Sequence, residues 1–336
     1  MILSRAPLRI TLGGGGTDLE SYYSKYGGFL IAAGINRYCT ILANRRFYDS
    51  IRLTYSEMEI VDSIEQVRHR IFREALKVVG IYKNIELHST ADVPSNSGLG
   101  SSSCFTVTLL NALHTYKGEH VSRKDLAEEA CRIEIDILGE PIGKQDQYMA
   151  SFGGINCLTF NNDGQVLVEP LRISEEVLDR LMGNILFFFT GKERKSSEIL
   201  KEQNDKTLKD DPVVERNLHQ IKDIGLKARD YLENGDIDMF GDLLHEHWEA
   251  KKKLSLKVSD PFIDECYEVA RKSGALGGKV MGAGGGGFFM FYCQNGDRQQ
   301  VTEAMRKIGL RQEKFQIDWD GARIMMNSED PVYIKE

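Results

Sequence analysis

The stretch VPSNSGLGSSSCFTVTLL, residues 93–110, constrains this chain more than any other. Pro94 and two glycines lead through three serines into an apolar run. Gly98 and Gly100 permit positive φ and close backbone approach, and Ser101 or Ser102 can cap a helix continuing to about Tyr116. Such a helix start turns unpaired N–H groups and the positive end of the helix dipole toward the loop, which favours an anion, usually phosphate. The segment lacks the lysine of a Walker loop, and Ser103 stands where a dinucleotide fingerprint needs its third glycine. On spacing alone, a capped helix after a flexible turn reads equally well.

An anion held there meets an acidic chain. Its 50 Asp and Glu against 43 Lys and Arg leave a net charge of −7, so an anionic substrate has to be met by a local basic cluster. The same balance gives no reason to bind nucleic acid or an anionic membrane. Cys39, Cys104, Cys131, Cys157, Cys266 and Cys293 are scattered without a CxxC pair, as reduced core residues of a cytoplasmic protein would be. The opening MILSRAPLRI carries arginines where a signal peptide needs its apolar region, and apolar runs such as residues 185–189 are too short to span a bilayer. Export and membrane insertion are therefore not expected.

At 336 residues the chain has room for two domains. Alternation predicts a strand over residues 1–12, then Gly13 to Gly16, then a short helix to Tyr26. FLIAAGI and RYCTILANRRF read as two successive strands, and residues 51–61 as another. Ile64, Val67, Ile71, Ala75, Leu76 and Val79 recur at helical spacing and predict one helix over residues 63–80. Residues 85–91 form a strand feeding the central loop, and residues 125–138 a helix. The polar segment at 161–182 marks a boundary, giving domains 1–170 and 171–336. The second half alternates helices, including residues 212–234, with strands near 184–190, 278–281 and 288–293, and is α+β. Its GAGGGG matches GxGxxG but precedes a strand, so a packing turn is the local reading.

The run EACRIEIDILGEPIGKQDQYMASFGG holds the chemistry. Glu134 lies about 100° round its helix from Ile133, which places it at the edge of the apolar stripe. Asp146 follows a Gly-Lys-Gln turn. One such carboxylate can hold magnesium while the other accepts or orients a hydroxyl proton, as phosphoryl transfer requires. By spacing alone, a solvated Glu and a turn-forming Asp are the commoner outcome.

Three segments together, RAPLRITLGGGGTD, VPSNSGLGSSSC and GGKVMGAGGGGF, resemble the three motifs of the GHMP kinases, in the family's order. The carboxylate run resembles galactokinase, where a metal-binding Glu precedes a catalytic Asp in a GxxDQ pattern. The opening LRITLGGGGTDLESYY with a following YGG is most similar to D-glycero-D-manno-heptose 7-phosphate kinases, with fucose kinases next. Galactokinases carry Glu-His where this chain has Gly15 and Gly16, which puts galactose in doubt. The resemblance implies a two-domain α+β fold, with an N-terminal βαβ-containing domain and a C-terminal ferredoxin-like domain. The implied enzyme is cytoplasmic, a monomer or homodimer, that uses ATP and magnesium on a sugar phosphate, without nucleic-acid or membrane partners.

Carried over residue by residue, the resemblance implies that Pro94, Ser97, Gly98, Leu99, Gly100, Ser101 and Ser102 wrap the ATP phosphates. Ser102 and Glu134 would bind magnesium, and Asp146 would face the acceptor hydroxyl with Arg9 beside it. Asp18 would hydrogen-bond the sugar, Gly15 and Gly16 would open space for it, and Gly284 and Gly285 would lie where the third motif buttresses loop and substrate. A phosphorylated sugar needs a basic seat. The candidates are Lys192, Arg194 and Lys195 in TGKERKSSE, with Lys144 or Arg37 as further ones, although a solvated charged turn is an almost equal reading. His245 and His247 lie on different helix faces without an HExxH partner, and His247 is expected to pack against the core.

Overall fold

The protein is described here by a computed structural model over residues 1–193 and 196–328. Arg194 and Lys195 lie outside the described residues. Seven strands come first: β1 (Ile2–Gly13), β2 (Gly28–Arg45), β3 (Ile51–Thr54), β4 (Met58–Val61), β5 (Ile85–Ala91), β6 (Ile155–Phe160) and β7 (Val166–Pro170). Interleaved with them are α1 (Glu20–Tyr26), α2 (Arg70–Val79), α3 (Ser101–Tyr116), α4 (Arg123–Cys131) and α5 (Gln145–Phe152). The second half supplies α6 (Glu175–Asn184), β8 (Ile185–Phe189), α7 (Ser196–Leu208), α8 (Pro212–Asn234), α9 (Ile237–Lys252) and α10 (Pro261–Lys272). It continues with β9 (Ala275–Val280), β10 (Phe288–Cys293), α11 (Arg298–Lys307), β11 (Arg311–Glu313) and β12 (Arg323–Asn327).

The first sheet runs β12-β1-β2-β5-β3-β4, with β6 and β7 branching from β2. The two strands expected from FLIAAGI and RYCTILANRRF are halves of one. Leu8 pairs with Ile35 and Pro7 with Tyr38, so Asn36 and Arg37 bulge out. Before that bulge β2 pairs with β6, and after it with β5, so a single bent strand serves two neighbours. Residues 51–61 are a hairpin rather than one strand, and β3 then joins β5 in parallel through α2. The second sheet is antiparallel in the order β11-β8-β10-β9, a ferredoxin-like βαββαβ arrangement. β12 pairs with β1, so the chain crosses back over the division expected after residue 170.

One apolar cluster runs from Ile10 and Ile35 in the first sheet through Met281 and Phe288 to Phe187 in the second, joining the halves beneath a cleft. Two predicted helices come out differently. Residues 64–66 form a separate 3₁₀ turn with a Ser63–Gln66 capping box, and α2 starts only at Arg70, where the His69 ring accepts from Phe72 N–H. The helix expected over 125–138 leaves the α form after Cys131, and Arg132–Ile137 is a π-helical turn. That change of pitch decides where Glu134 points.

Candidate active site

The cleft holds a cavity of about 720 Å³, within the range of roughly 300–1,000 Å³ usual for ligand sites. Its rim includes Arg9, Gly15, Gly16, Asp18, Gly98, Gly100, Ser101, Ser102, Glu134 and Asp146, which come from distant parts of the sequence. β1 brings the first of these. Arg9 N donates to Leu99 O, tying the strand to the glycine loop. The Arg9 side chain donates through Nε to Asp146 Oδ1 at 2.6 Å and through one terminal nitrogen to Gly98 O at 2.7 Å. The arginine is buried, so this is a charge-assisted contact in a low-dielectric setting.

The glycine loop itself is shaped by its neighbours. Gly100 caps α3 in the left-handed conformation with no side-chain cap bond, so neither Ser101 nor Ser102 caps the helix as expected. Ser102 Oγ instead donates to Glu134 Oε1 at 2.9 Å. Ser97 Oγ and Ser101 Oγ are buried with no partner, and for Ser101, which lines the cavity, phosphate oxygens would relieve that costly state. The third glycine run supports the loop from behind. A Cβ on Gly98 would stand 2.7 Å from Met281 O, and one on Gly287 would stand 2.2 Å from Ser97 O. Gly284 and Gly285 sit farther back, where Gly285 N donates to Val258 O, and they do not line the cavity. Pro94, Ser97 and Leu99 also lie off its surface.

Glu134 is fully buried, not at a stripe edge, because the π turn rotates it inward. Gln147 Nε2 donates to its second oxygen at 2.8 Å. Burial raises its carboxyl to about 7, against the opposing pull of the Ser102, Ser103 and Gln147 hydrogen bonds. Among the described residues no cation pairs with it, and no cluster of three metal-ligating side chains occurs. A buried carboxylate beside a hydroxyl, short of positive charge, would suit a magnesium ion whose other oxygen ligands came from phosphate and water.

Asp18 is also buried, and its carboxyl is raised first by burial and then by the charge of Asp146. It accepts from Gly16 N and from Gln145 through both backbone and side chain. Gln145 Oε1 in turn accepts from Thr11 Oγ1 at 2.7 Å. Thr11 and Gln145 were missed, although Gln145 sits directly beside Asp146 in the GKQDQ run. The outer end of the cavity carries Tyr55, His69 and Phe105, an aromatic cluster that the sequence did not group.

Three of the expected basic candidates do not line the cavity, and Arg194 and Lys195 lie outside the described residues. Lys192 Nζ lies 2.9 Å from Asp260, Lys144 donates to Gly164 O, and Arg37 pairs with Glu313, all outside the cavity. In their place stand Lys251, Lys279 and His247, all buried and all lining it.

Residues 62–154 match the N-terminal domain of the GHMP kinases, and residues 228–309 match the C-terminal domain. The chain is a GHMP kinase. It is 32% identical, over 91% of its length and 93% of the relative's, to a D-glycero-alpha-D-manno-heptose 7-phosphate kinase of Campylobacter jejuni. The fold matches a crystal structure described as a D-glycero-D-manno-heptose 1-phosphate kinase from Bacteroides thetaiotaomicron. Its TM-score is 0.80 at 26% identity, covering 98% of this chain and 100% of that one. A Lactococcus lactis galactokinase complexed with galactose shares the fold, with a TM-score of 0.74 at 21% identity over 96% and 94% of the two chains. This GHMP kinase is accordingly an ATP-dependent sugar kinase. Among its described residues no helix is long and apolar enough to cross a membrane.

Proposed function

We propose that this kinase transfers the γ-phosphoryl group of ATP to the anomeric hydroxyl of D-glycero-D-manno-heptose 7-phosphate, giving the 1,7-bisphosphate for nucleotide-activated heptose and surface polysaccharide. The observation that carries the substrate is the 32% identity, over nine-tenths of both chains, to a heptose 7-phosphate kinase. The adenine base would lie against Tyr55, His69 and Phe105. The unpartnered hydroxyl of Ser101 and the start of α3 would take the triphosphate. Magnesium held by Ser102 and Glu134 would neutralise phosphate charge.

Asp146 takes the proton of the attacking hydroxyl as the new O–P bond forms, and the bond from the γ-phosphorus to the β–γ bridging oxygen breaks to release ADP. Arg9 holds that carboxylate against the glycine loop, fixing the acceptor relative to the phosphate. Asp18, locked by Gln145 and Gly16, would receive a sugar hydroxyl.

ADP release with ATP, magnesium and a panel of heptose 7-phosphate, free heptose, fucose and galactose tests this reading. Turnover confined to heptose 7-phosphate, and lost in Asp146→Asn, is the expected result. A second reading, a free sugar such as fucose as acceptor, is favoured by one observation: Lys192 and Lys144 are both engaged outside the cavity. Turnover of fucose in place of the sugar phosphate would establish it.

A further inference from the structure

Three polar side chains on the second-domain wall of the cleft are left unused by the reading above. Lys279 on β9 is 2% exposed, Lys251 on α9 is 8% exposed, and His247, one helical turn before Lys251, is 1% exposed. Lys251 Nζ donates to Val280 O at 2.9 Å and to Gly282 O, which leaves one N–H unused. Lys279 Nζ lies 3.1 Å from His247 Nδ1. With Nδ1 accepting, the ring proton sits on Nε2, and that nitrogen is buried with no partner. Lys279 keeps two further N–H groups.

The charged side chains that shift these groups are all cationic. Burial, then the Arg9 charge, lowers Lys251 to about 7; burial, Lys251 and Arg9 lower Lys279 well below the usual lysine range. Burial and both lysines hold His247 in its neutral form. Among the described residues neither lysine has a carboxylate partner, and a buried ammonium without an anion is among the most costly arrangements a protein can keep. Spare donors from two lysines and an imidazole, on one wall of one cavity, match a tetrahedral dianion with several acceptor oxygens.

We infer that Lys279, Lys251 and His247 form a phosphate-monoester seat that takes the phosphate the sugar already carries. This rests on the sugar-phosphate reading above. Unlike Lys192, all three of its side chains line the cavity. The triphosphate has its own donors in the glycine loop and at the start of α3. Gln203, on the same wall as the seat, donates to Gly16 O in the loop beside Asp18, so the wall also reaches the acceptor side.

The test is steady-state kinetics of wild type, Lys279→Met, Lys251→Met and Lys279→Arg, with thermal melts to confirm folding. KM for heptose 7-phosphate is expected to rise roughly 10- to 100-fold in the two Met variants, with KM for ATP nearly unchanged and partial recovery in Lys279→Arg. Inorganic phosphate on the wild type supplies a readout that needs no variant. It should inhibit competitively against heptose 7-phosphate and not against ATP. A rise in KM for ATP alone, or competition with ATP alone, would assign the seat to the nucleotide and overturn the inference, as would no change in either constant. Wild-type turnover of free heptose as fast as heptose 7-phosphate would instead overturn the substrate reading, whatever the variants do.

Discussion

A Cβ placed on Gly100 would stand 3.0 Å from the carboxyl carbon of Asp146, so the glycine that opens the phosphate loop also bounds the proposed base. Gly100 further adopts a φ of 79°, where an L side chain is strained by about 1–2 kcal/mol. Gly100→Ala should therefore fold less stably and, by displacing the carboxylate, lose about 100-fold in kcat. Urea melts and kcat on the same preparation check both effects. Full activity would show that Asp146 need not hold this position.

Asp146→Asn should lower kcat by roughly 10² to 10⁴ while leaving ATP affinity close to wild type. Arg9→Met should lower kcat as well, and because Arg9 also holds Gly98 O it should weaken ATP binding. A double-mutant cycle of the two is expected to be strongly non-additive, since the side chains share one contact.

Glu134 gives stability a pH dependence of known sign. Its folded pKa, raised to about 7 by burial, exceeds the unfolded value of 4.5, so the native state holds a proton that the unfolded chain releases between these pH values. The stabilisation is complete below pH 4.5 and is lost as pH rises through about 7, a change on the order of 3 kcal/mol. Metal-free wild type should lose stability relative to Glu134→Gln across this window, as denaturant melts at several pH values would show. The same variant should need more than about tenfold more magnesium for half-maximal activity.

Lys192→Met should change KM for the sugar phosphate by less than about twofold, because its partly exposed ammonium is committed to Asp260. A large increase would mean that the 192–195 turn reaches the substrate after all.

The local signals in the sequence carried far. The periodicity over 212–234 and the alternation over 85–91 give α8 and β5 with the bounds observed. The glycine motifs and the carboxylate run place Arg9, Asp18, Ser102, Glu134 and Asp146 round one cavity. What stayed illegible depends on distant parts of the chain. A lysine is read as exposed by default, so Lys251 and Lys279 gave no sign of burial until α9 was laid on β9. The π turn at Glu134 also escaped, since its apolar positions fit an ordinary helix. The bend in β2 follows from having two different neighbours, neither visible from its own residues.

The pairing of β12 with β1 has a consequence for how the molecule is made. During synthesis the strand that carries Arg9 emerges before the other strands described, yet its outer neighbour β12 emerges only after both sheets have otherwise been translated. Until then β1 presents an open row of backbone donors and acceptors, the kind of edge that recruits a second nascent chain. The first domain therefore cannot finish on the ribosome ahead of the second. An intact active-site strand then reports that both sheets have been delivered and packed.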